Sequence, residues 1–141
     1  MFRQFLIMSH GNMSTGLEST ISMLLGNNFN LDTVAAYLDG KRTDISSKIE
    51  EYLSKLGDDD ELIIFTDIFG GSVNNESMKY INDRRVRLIS GVNVPLILEI
   101  LSNSSNKDLS IDTIIREAIS EAKEAIVFCN DLDFNLSNDD F

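Results

Sequence analysis

Residues 62–72 read LIIFTDIFGGS, and this stretch decides the fold. The first four residues are apolar without interruption, as in a short strand that is buried on both faces. Thr66 and Asp67 end that strand, and a helical pattern follows from about Val73 to Asp83. A buried strand, a glycine-containing turn and a helix in succession are typical of an α/β protein with a parallel sheet.

Three further apolar runs have the length of strands. They cover Phe5 to Met8, about Thr33 to Leu38, and Arg85 to Ser90. Helical patterns separate or follow them: one from a capping-box spacing at Thr15 to Gly26, one from Asp44 to Gly57, one from Pro95 to Leu101, and one capped by Ser110. Strands that alternate with helices predict right-handed βαβ units. The predicted fold class is therefore α/β, with a doubly wound, mainly parallel sheet of four strands flanked by helices.

The last apolar run, Ala125 to Cys129, is not assigned by its periodicity. It could be an edge strand of its own sheet or a strand donated to a partner. We expect one domain over residues 1–130. Residues 131–141 form an acidic, Asn-rich tail that we expect to be frayed.

Composition excludes several classes of protein. A formal net charge of -11 disfavours a polynucleotide partner, because phosphates would be repelled. The chain has one cysteine, Cys129, no Cys/His cluster for zinc and no apolar run of membrane-spanning length. The acidic residues 58–61 are consecutive and cannot all converge on one ion. We expect a cytoplasmic protein without a metal or cofactor.

Polar and small residues follow three of the predicted strands. His10-Gly11 follows the first, Asp67 with Gly70-Gly71-Ser72 follows the third, and Gly91-Val92-Asn93 follows the fourth. Ligands of open α/β sheets bind beyond the carboxyl ends of the strands. Each feature alone has a structural explanation as a cap or a tight turn. Together they predict one crevice.

His10 is the predicted nucleophile of this crevice, because a neutral imidazole is nucleophilic near neutral pH. Asp67 is the acid that could hold the proton on one ring nitrogen and stabilise positive charge. Gly70 and Gly71 would let backbone N–H groups approach an anion, and Ser72 could add a hydroxyl. These residues predict a phosphoryl acceptor, with His10 and Asp67 catalytic and Gly70, Gly71 and Ser72 binding the phosphoryl oxygens.

Four motifs carry a resemblance to a known family. They are SHG at 9–11, MLLG at 23–26, TDIFGGS at 66–72 and GVNVP at 91–95. Over about Phe5 to Phe128 the chain resembles the enzyme IIA domain of the mannose family of the bacterial phosphoenolpyruvate-dependent sugar phosphotransferase system. It departs from many members at Phe69, where they have tryptophan, and at Val73, where they have proline.

The resemblance implies a relay between proteins. His10 would accept a phosphoryl group from the phosphocarrier protein HPr on Nε2 and pass it to a histidine of enzyme IIB during sugar uptake. Asp67 would orient His10, while Gly71 and Ser72 would bind the phosphoryl oxygens. The family is homodimeric and exchanges its last strand, which implies that role for residues 125–129. The enzyme IIB partner is expected on a separate chain or on a removed part of a fusion, with the membrane subunits contacted indirectly.

Four alternatives remain open. One is the phosphoryl-donor subunit of dihydroxyacetone kinases, and another is the same domain detached from a transcriptional regulator. A third is a hydrolase with Ser72, His10 and Asp67 as its triad, although residues 70–74 are not a G-x-S-x-G elbow. The fourth is a non-catalytic flavodoxin-like binding module. Nothing in the sequence indicates which sugar would be carried.

Overall fold

The computed structural model describes residues 1–133, and a sheet of four parallel strands forms its centre. The strands are β1 (Arg3–His10), β2 (Leu31–Ala36), β3 (Glu61–Thr66) and β4 (Val86–Ser90). Their order across the sheet is β2-β1-β3-β4, and each neighbouring pair is parallel. The predicted four-stranded parallel sheet is confirmed.

Five α-helices cover the two faces of this sheet. They are α1 (Met13–Leu25), α2 (Ile45–Ser54), α3 (Ser72–Ser77), α4 (Val94–Asn103) and α5 (Ile111–Glu124). Apolar residues of α1, α4 and α5 pack on one face, and those of α2 and α3 pack on the other. This is the doubly wound arrangement that the alternating pattern predicts.

The alternation of side chains along β1 explains the two cores. Phe5 and Ile7 belong to the apolar cluster under α1, α4 and α5, whereas Leu6 and Met8 belong to the cluster under α2 and α3. All four are almost completely buried. In a strand buried on both faces every side chain contacts an apolar core, which is why the sequence shows an unbroken apolar run.

Side-chain caps begin three of the helices. The side chains of Asp44, Asn93 and Ser110 accept hydrogen bonds from backbone N–H groups in the first turns of α2, α4 and α5. These caps satisfy N–H groups that lack a partner within the helix. The predicted starts at Asp44 and Ser110 are therefore confirmed.

The predicted capping box at Thr15 is wrong. Helix α1 already begins at Met13, with Asn12 as its cap residue, and the Thr15 hydroxyl donates to the carbonyl oxygen of Asn12 at 2.9 Å. The turn after His10 is short because Gly11 adopts φ 59°, which lets the chain reverse into the helix within two residues.

The predicted helix from Val73 to Asp83 is too long. Helix α3 ends at Ser77, and a single 3₁₀ turn follows over Met78–Tyr80. The Ser77 hydroxyl donates to the carbonyl oxygen of Val73 at 2.8 Å, a local bond that weakens helix propagation. Strand β2 is also shifted from the predicted range and ends at Ala36, because Tyr37 leaves extended geometry with φ 60°.

Residues 125–133 form no strand with their own chain, so the possibility of an edge strand in the same sheet is wrong. Ile126, Val127 and Phe128 are 77%, 49% and 68% exposed, and a 3₁₀ turn follows at Cys129–Asp131. The predicted tail, 131–141, lies outside the described residues from position 134 onward. Within residues 1–133, no helix has the length and apolar character needed to span a membrane.

Candidate active site at the carboxyl end of the sheet

Strand register brings His10 and Asp67 together. Met8 of β1 pairs with Thr66, the last residue of β3, so that Asp67 leaves β3 beside the last two residues of β1. From β1 the chain continues to β2 at one edge of the sheet, and from β3 it continues to β4 at the opposite edge. The two residues therefore lie at the topological switch point, where α/β sheets open a crevice.

Asp67 holds His10 through two hydrogen bonds to one oxygen. The backbone N–H of His10 donates to Oδ2 at 2.8 Å, and ring Nδ1 lies 2.8 Å from the same oxygen. The other oxygen, Oδ1, accepts from the Ile68 N–H at 3.0 Å. Burial alone would raise the pKa of Asp67, but the hydrogen bonds and positive charge offered by His10 outweigh it and lower that pKa. Asp67 is therefore ionised at neutral pH.

The carboxylate determines which ring nitrogen carries the proton. An ionised carboxylate only accepts hydrogen bonds, so Nδ1 of His10 is the donor, and in the neutral ring Nε2 then has the lone pair. Ser72 Oγ lies 3.2 Å from Nε2, and its hydroxyl donates to that nitrogen when the ring is neutral. The His10 side chain is 44% exposed, against 12% for Asp67. The arrangement makes Nε2 the ring nitrogen that can act as a nucleophile at the surface of the molecule.

The two glycines before Ser72 do different things. Gly70 has φ 84°, a conformation that other residues rarely adopt. At Gly71 a Cβ would lie 2.7 Å from Ile68 Cγ2 and 3.4 Å from His10 Cε1. The Gly71 N–H donates to the carbonyl oxygen of Ile68 at 3.2 Å. Gly71 therefore lets the loop approach the imidazole closely, and its N–H already has a partner.

The turn after β4, which contains Asn93, is the third predicted part of the site and lies at the same edge of the sheet. It makes no hydrogen bond with His10 in the described part of the chain. Asn93 accepts from the Leu96 N–H at 3.0 Å, so its side chain caps α4. Ser9 lies on the opposite face from His10, where its hydroxyl accepts from the Ser14 N–H at 2.8 Å. The structure thus joins two of the three predicted strand ends at the imidazole.

Tyr37 is the residue beside the imidazole that sequence reasoning missed. Its ring centroid lies 5.3 Å from that of His10, with 31° between the planes. An aromatic residue at the end of the second apolar run was the available signal, but no periodicity indicates which side chains of different strands meet. Ile68 and Phe69, which directly follow Asp67 in the chain, are 58% and 78% exposed.

No cluster of three His, Cys, Asp or Glu side chains suitable for a metal ion occurs within residues 1–133. The chemistry available at the site is that of an oriented imidazole, a carboxylate and a hydroxyl. The order Asp67–His10–Ser72 is also that of a hydrolase triad, since Asp67 contacts Nδ1 and Ser72 contacts Nε2. Contacts within the chain therefore allow two kinds of nucleophile, the imidazole or the serine.

Comparison with known proteins shows the family of the chain. The model of the family described as "PTS system fructose IIA component" matches residues 4–119. The fructose-specific EIIA component of Bacillus subtilis is 24% identical over 127 residues, covering 89% of this chain and 86% of that protein. The mannose-specific EIIAB component of Escherichia coli is 27% identical over 120 residues, and the match spans 84% of this chain but only 36% of that protein.

A solved structure extends the comparison to three dimensions. It is a Klebsiella pneumoniae protein assigned to a phosphoenolpyruvate-dependent sugar phosphotransferase permease. It is 34% identical in sequence, the match covers 93% of each chain, and the TM-score is 0.83. The two proteins therefore share the same overall fold over most of their length.

Proposed function

Because the chain belongs to the family of EIIA components of the bacterial sugar phosphotransferase system, which are phosphotransferases, we propose that His10 is the residue that carries the phosphoryl group. The observation that carries the proposal is the pair of contacts on its ring. Nδ1 lies 2.8 Å from Asp67 Oδ2, Nε2 lies 3.2 Å from Ser72 Oγ, and the His10 side chain is 44% exposed.

The phosphoryl donor is a phosphohistidine of HPr. The lone pair of His10 Nε2 attacks the phosphorus atom in line with the bond between phosphorus and the donor nitrogen. A new N–P bond forms as the old one breaks, and its electron pair returns to the imidazole of the donor. The Nδ1 proton stays in its hydrogen bond with Asp67, whose negative charge balances the positive charge that the His10 ring gains.

The oxygens of the arriving phosphoryl group need donors. The Ser72 hydroxyl would turn from Nε2 to a phosphoryl oxygen, because the lone pair of Nε2 forms the new N–P bond and no longer accepts a hydrogen bond. The Ser72 N–H belongs to the first residue of α3 and has no partner within that helix. Gly70 and Gly71 leave room for the oxygens to approach, and the Gly71 N–H would share its 3.2 Å bond with Ile68.

The second step is the reverse of the first, with a histidine of enzyme IIB as the nucleophile. Both partners must reach the same exposed nitrogen, so they bind in turn. The proposed partners put the protein in the cytoplasm, next to the membrane subunits that select the sugar. No nucleic acid takes part, in keeping with the net charge of -11.

A homodimer with an exchanged terminal segment completes the proposal. Within residues 1–133, strand β4 pairs only with β3, so its other edge is open to a further strand. Residues 125–129 of a second copy would supply a strand there and would bury Ile126 and Phe128, which are 77% and 68% exposed in the single chain. Pairing protects an edge that would otherwise promote aggregation.

The test is phosphoryl transfer from phosphoenolpyruvate through enzyme I and HPr. We expect one phosphate per chain, labile in acid and stable in base, and no labelling of His10→Ala. A serine nucleophile would instead give an acid-stable ester that disappears in Ser72→Ala. Absence of label from the wild-type protein, or equal labelling of His10→Ala, would rule the proposal out.

A further inference from the structure

Tyr37, the first residue after β2, has a backbone conformation that is unfavourable for tyrosine. Tyr37 has φ 60° and ψ 29°, in the left-handed region that bulky side chains rarely adopt. Tyr37 and Asp39 are the two non-glycine residues with positive φ among residues 1–133. Strained backbone persists where the surroundings hold it, and it clusters at functional sites.

Contacts on both sides hold Tyr37 in place. Its backbone N–H donates to Thr43 Oγ1 at 3.2 Å. The preceding carbonyl, of Ala36, accepts from the Gly11 N–H at 2.9 Å, which ties the end of β2 to the residue after His10. The Tyr37 side chain is half-buried against the apolar cluster under α2 and α3. The strain therefore fixes the direction in which the ring leaves the sheet.

That direction brings the ring onto His10. A centroid separation of 5.3 Å and an angle of 31° lie within the range of favourable aromatic pairs. Asp67 and Ser72 hold the two nitrogens at the edge of the imidazole, and Tyr37 is the aromatic group packed against it. The Tyr37 hydroxyl makes no hydrogen bond within the described residues, so the contact is made by the ring itself.

We infer that Tyr37 is a positioning residue for His10, acting through the face of its aromatic ring. The ring restricts rotation of the imidazole away from Asp67. Its π electrons also stabilise the positive charge on the imidazole when Nε2 carries a phosphoryl group. The effect of Tyr37 on the transfer rate rests on the proposed function, whereas its effect on the orientation of the imidazole does not.

The test compares three variants of the full chain. Tyr37→Leu keeps an apolar side chain of moderate size and removes the aromatic face, while Tyr37→Phe keeps that face. Tyr80→Leu is the matched control, because Tyr80 packs against the same apolar cluster and its hydroxyl bonds Ser46 and Glu50, away from the imidazole. The readouts are urea unfolding, the transfer rate from phospho-HPr, and the NMR signals of the two ring nitrogens of the single histidine, which report its tautomer.

We expect both leucine variants to lose stability, but only Tyr37→Leu to lower the transfer rate. The expected decrease is about 2- to 10-fold, which corresponds to the free energy that one aromatic pair contributes. Tyr37→Phe should restore that rate. The chemical shifts of the two ring nitrogens should move towards those of a free imidazole, which mixes its tautomers, in Tyr37→Leu, and stay near the wild-type values in the other two variants. Transfer by Tyr37→Leu at the wild-type rate, or by Tyr37→Phe at the rate of Tyr37→Leu, would overturn the inference. If the wild-type protein accepts no phosphate, the proposed function fails, and the NMR signals still decide whether Tyr37 orders the imidazole.

Discussion

Asp67 Oδ2 lies 2.8 Å from both the backbone nitrogen and ring Nδ1 of His10. One oxygen atom thus fixes the end of β1 and the imidazole that follows it. Because the backbone contact anchors the carboxylate independently of the ring, the carboxylate stays in position when the ring changes charge. Substitutions at Asp67, Ser72 and Gly71 separate this orienting role from the other contacts of the site.

Asp67→Asn removes the negative charge and keeps the size of the side chain. We expect phosphoryl transfer to slow about 10- to 100-fold, the effect of losing one charge-assisted hydrogen bond of about 1.5–3 kcal/mol. Stopped-flow or quench-flow transfer from phospho-HPr measures this, with circular dichroism to check the fold. An unchanged rate in a folded variant would remove Asp67 from the mechanism.

Ser72→Ala removes the hydroxyl that lies 3.2 Å from Nε2. We expect a loss of rate of about 10- to 100-fold, because the hydroxyl would donate to a charged phosphoryl oxygen and such a hydrogen bond contributes about 1.5–3 kcal/mol. The phosphate should remain on His10 and remain acid-labile. Complete loss of the label in a folded Ser72→Ala protein would instead favour a serine nucleophile.

Gly71→Ala puts a methyl group where Ile68 Cγ2 would be 2.7 Å away and His10 Cε1 3.4 Å away. The loop must move, so we expect slower transfer and lower stability. Gly16→Ala is the matched control, since its Cβ meets nothing within 4 Å inside the exposed part of α1. That variant should gain about 0.5–1 kcal/mol in urea unfolding and transfer normally. Equal transfer rates for the two variants would contradict the close-approach role of Gly71.

Acid should remove a stabilising contact far from the active site. Hydrogen bonds from the Arg85 side chain lower the pKa of Asp83 to about 2. Because this pKa is lower in the folded than in the unfolded chain, the stabilisation is present above about pH 4 and is lost as the pH falls towards 2. The difference in unfolding free energy between wild type and Asp83→Asn should therefore be constant above pH 5 and shrink below pH 4. A difference that persists at pH 2 would show that the ionised pair is not its source.

Removal of the chain from Ala125 onward tests the exchanged segment. Residues 126–128 are largely exposed in the single chain, so the truncated protein should still fold. We expect it to be monomeric, while the full chain is dimeric, as measured by analytical ultracentrifugation. A truncated protein that remains a stable dimer would refute the exchange.

The sequence by itself determined the sheet and the direction of the chain through it. An unbroken apolar run such as 62–65 must be buried on both faces, and this requirement is readable without any knowledge of its neighbours. His10 and Asp67 were assigned to one edge of the sheet by the same logic, because parallel strands have their carboxyl ends on the same side. The start of α1 near Thr15 and the end of α3 at Ser77 were predicted incorrectly, because local side-chain hydrogen bonds compete with the helix at both places.

Only the tertiary structure decided which of those residues touch. The register of β1 against β3 brings Asp67 to Nδ1 of His10, while Asn93 on the next strand turns to cap its own helix. The left-handed backbone at Tyr37 brings an aromatic ring to the imidazole. Register and backbone strain are set by packing between segments far apart in the chain, so no local pattern of residues encodes them.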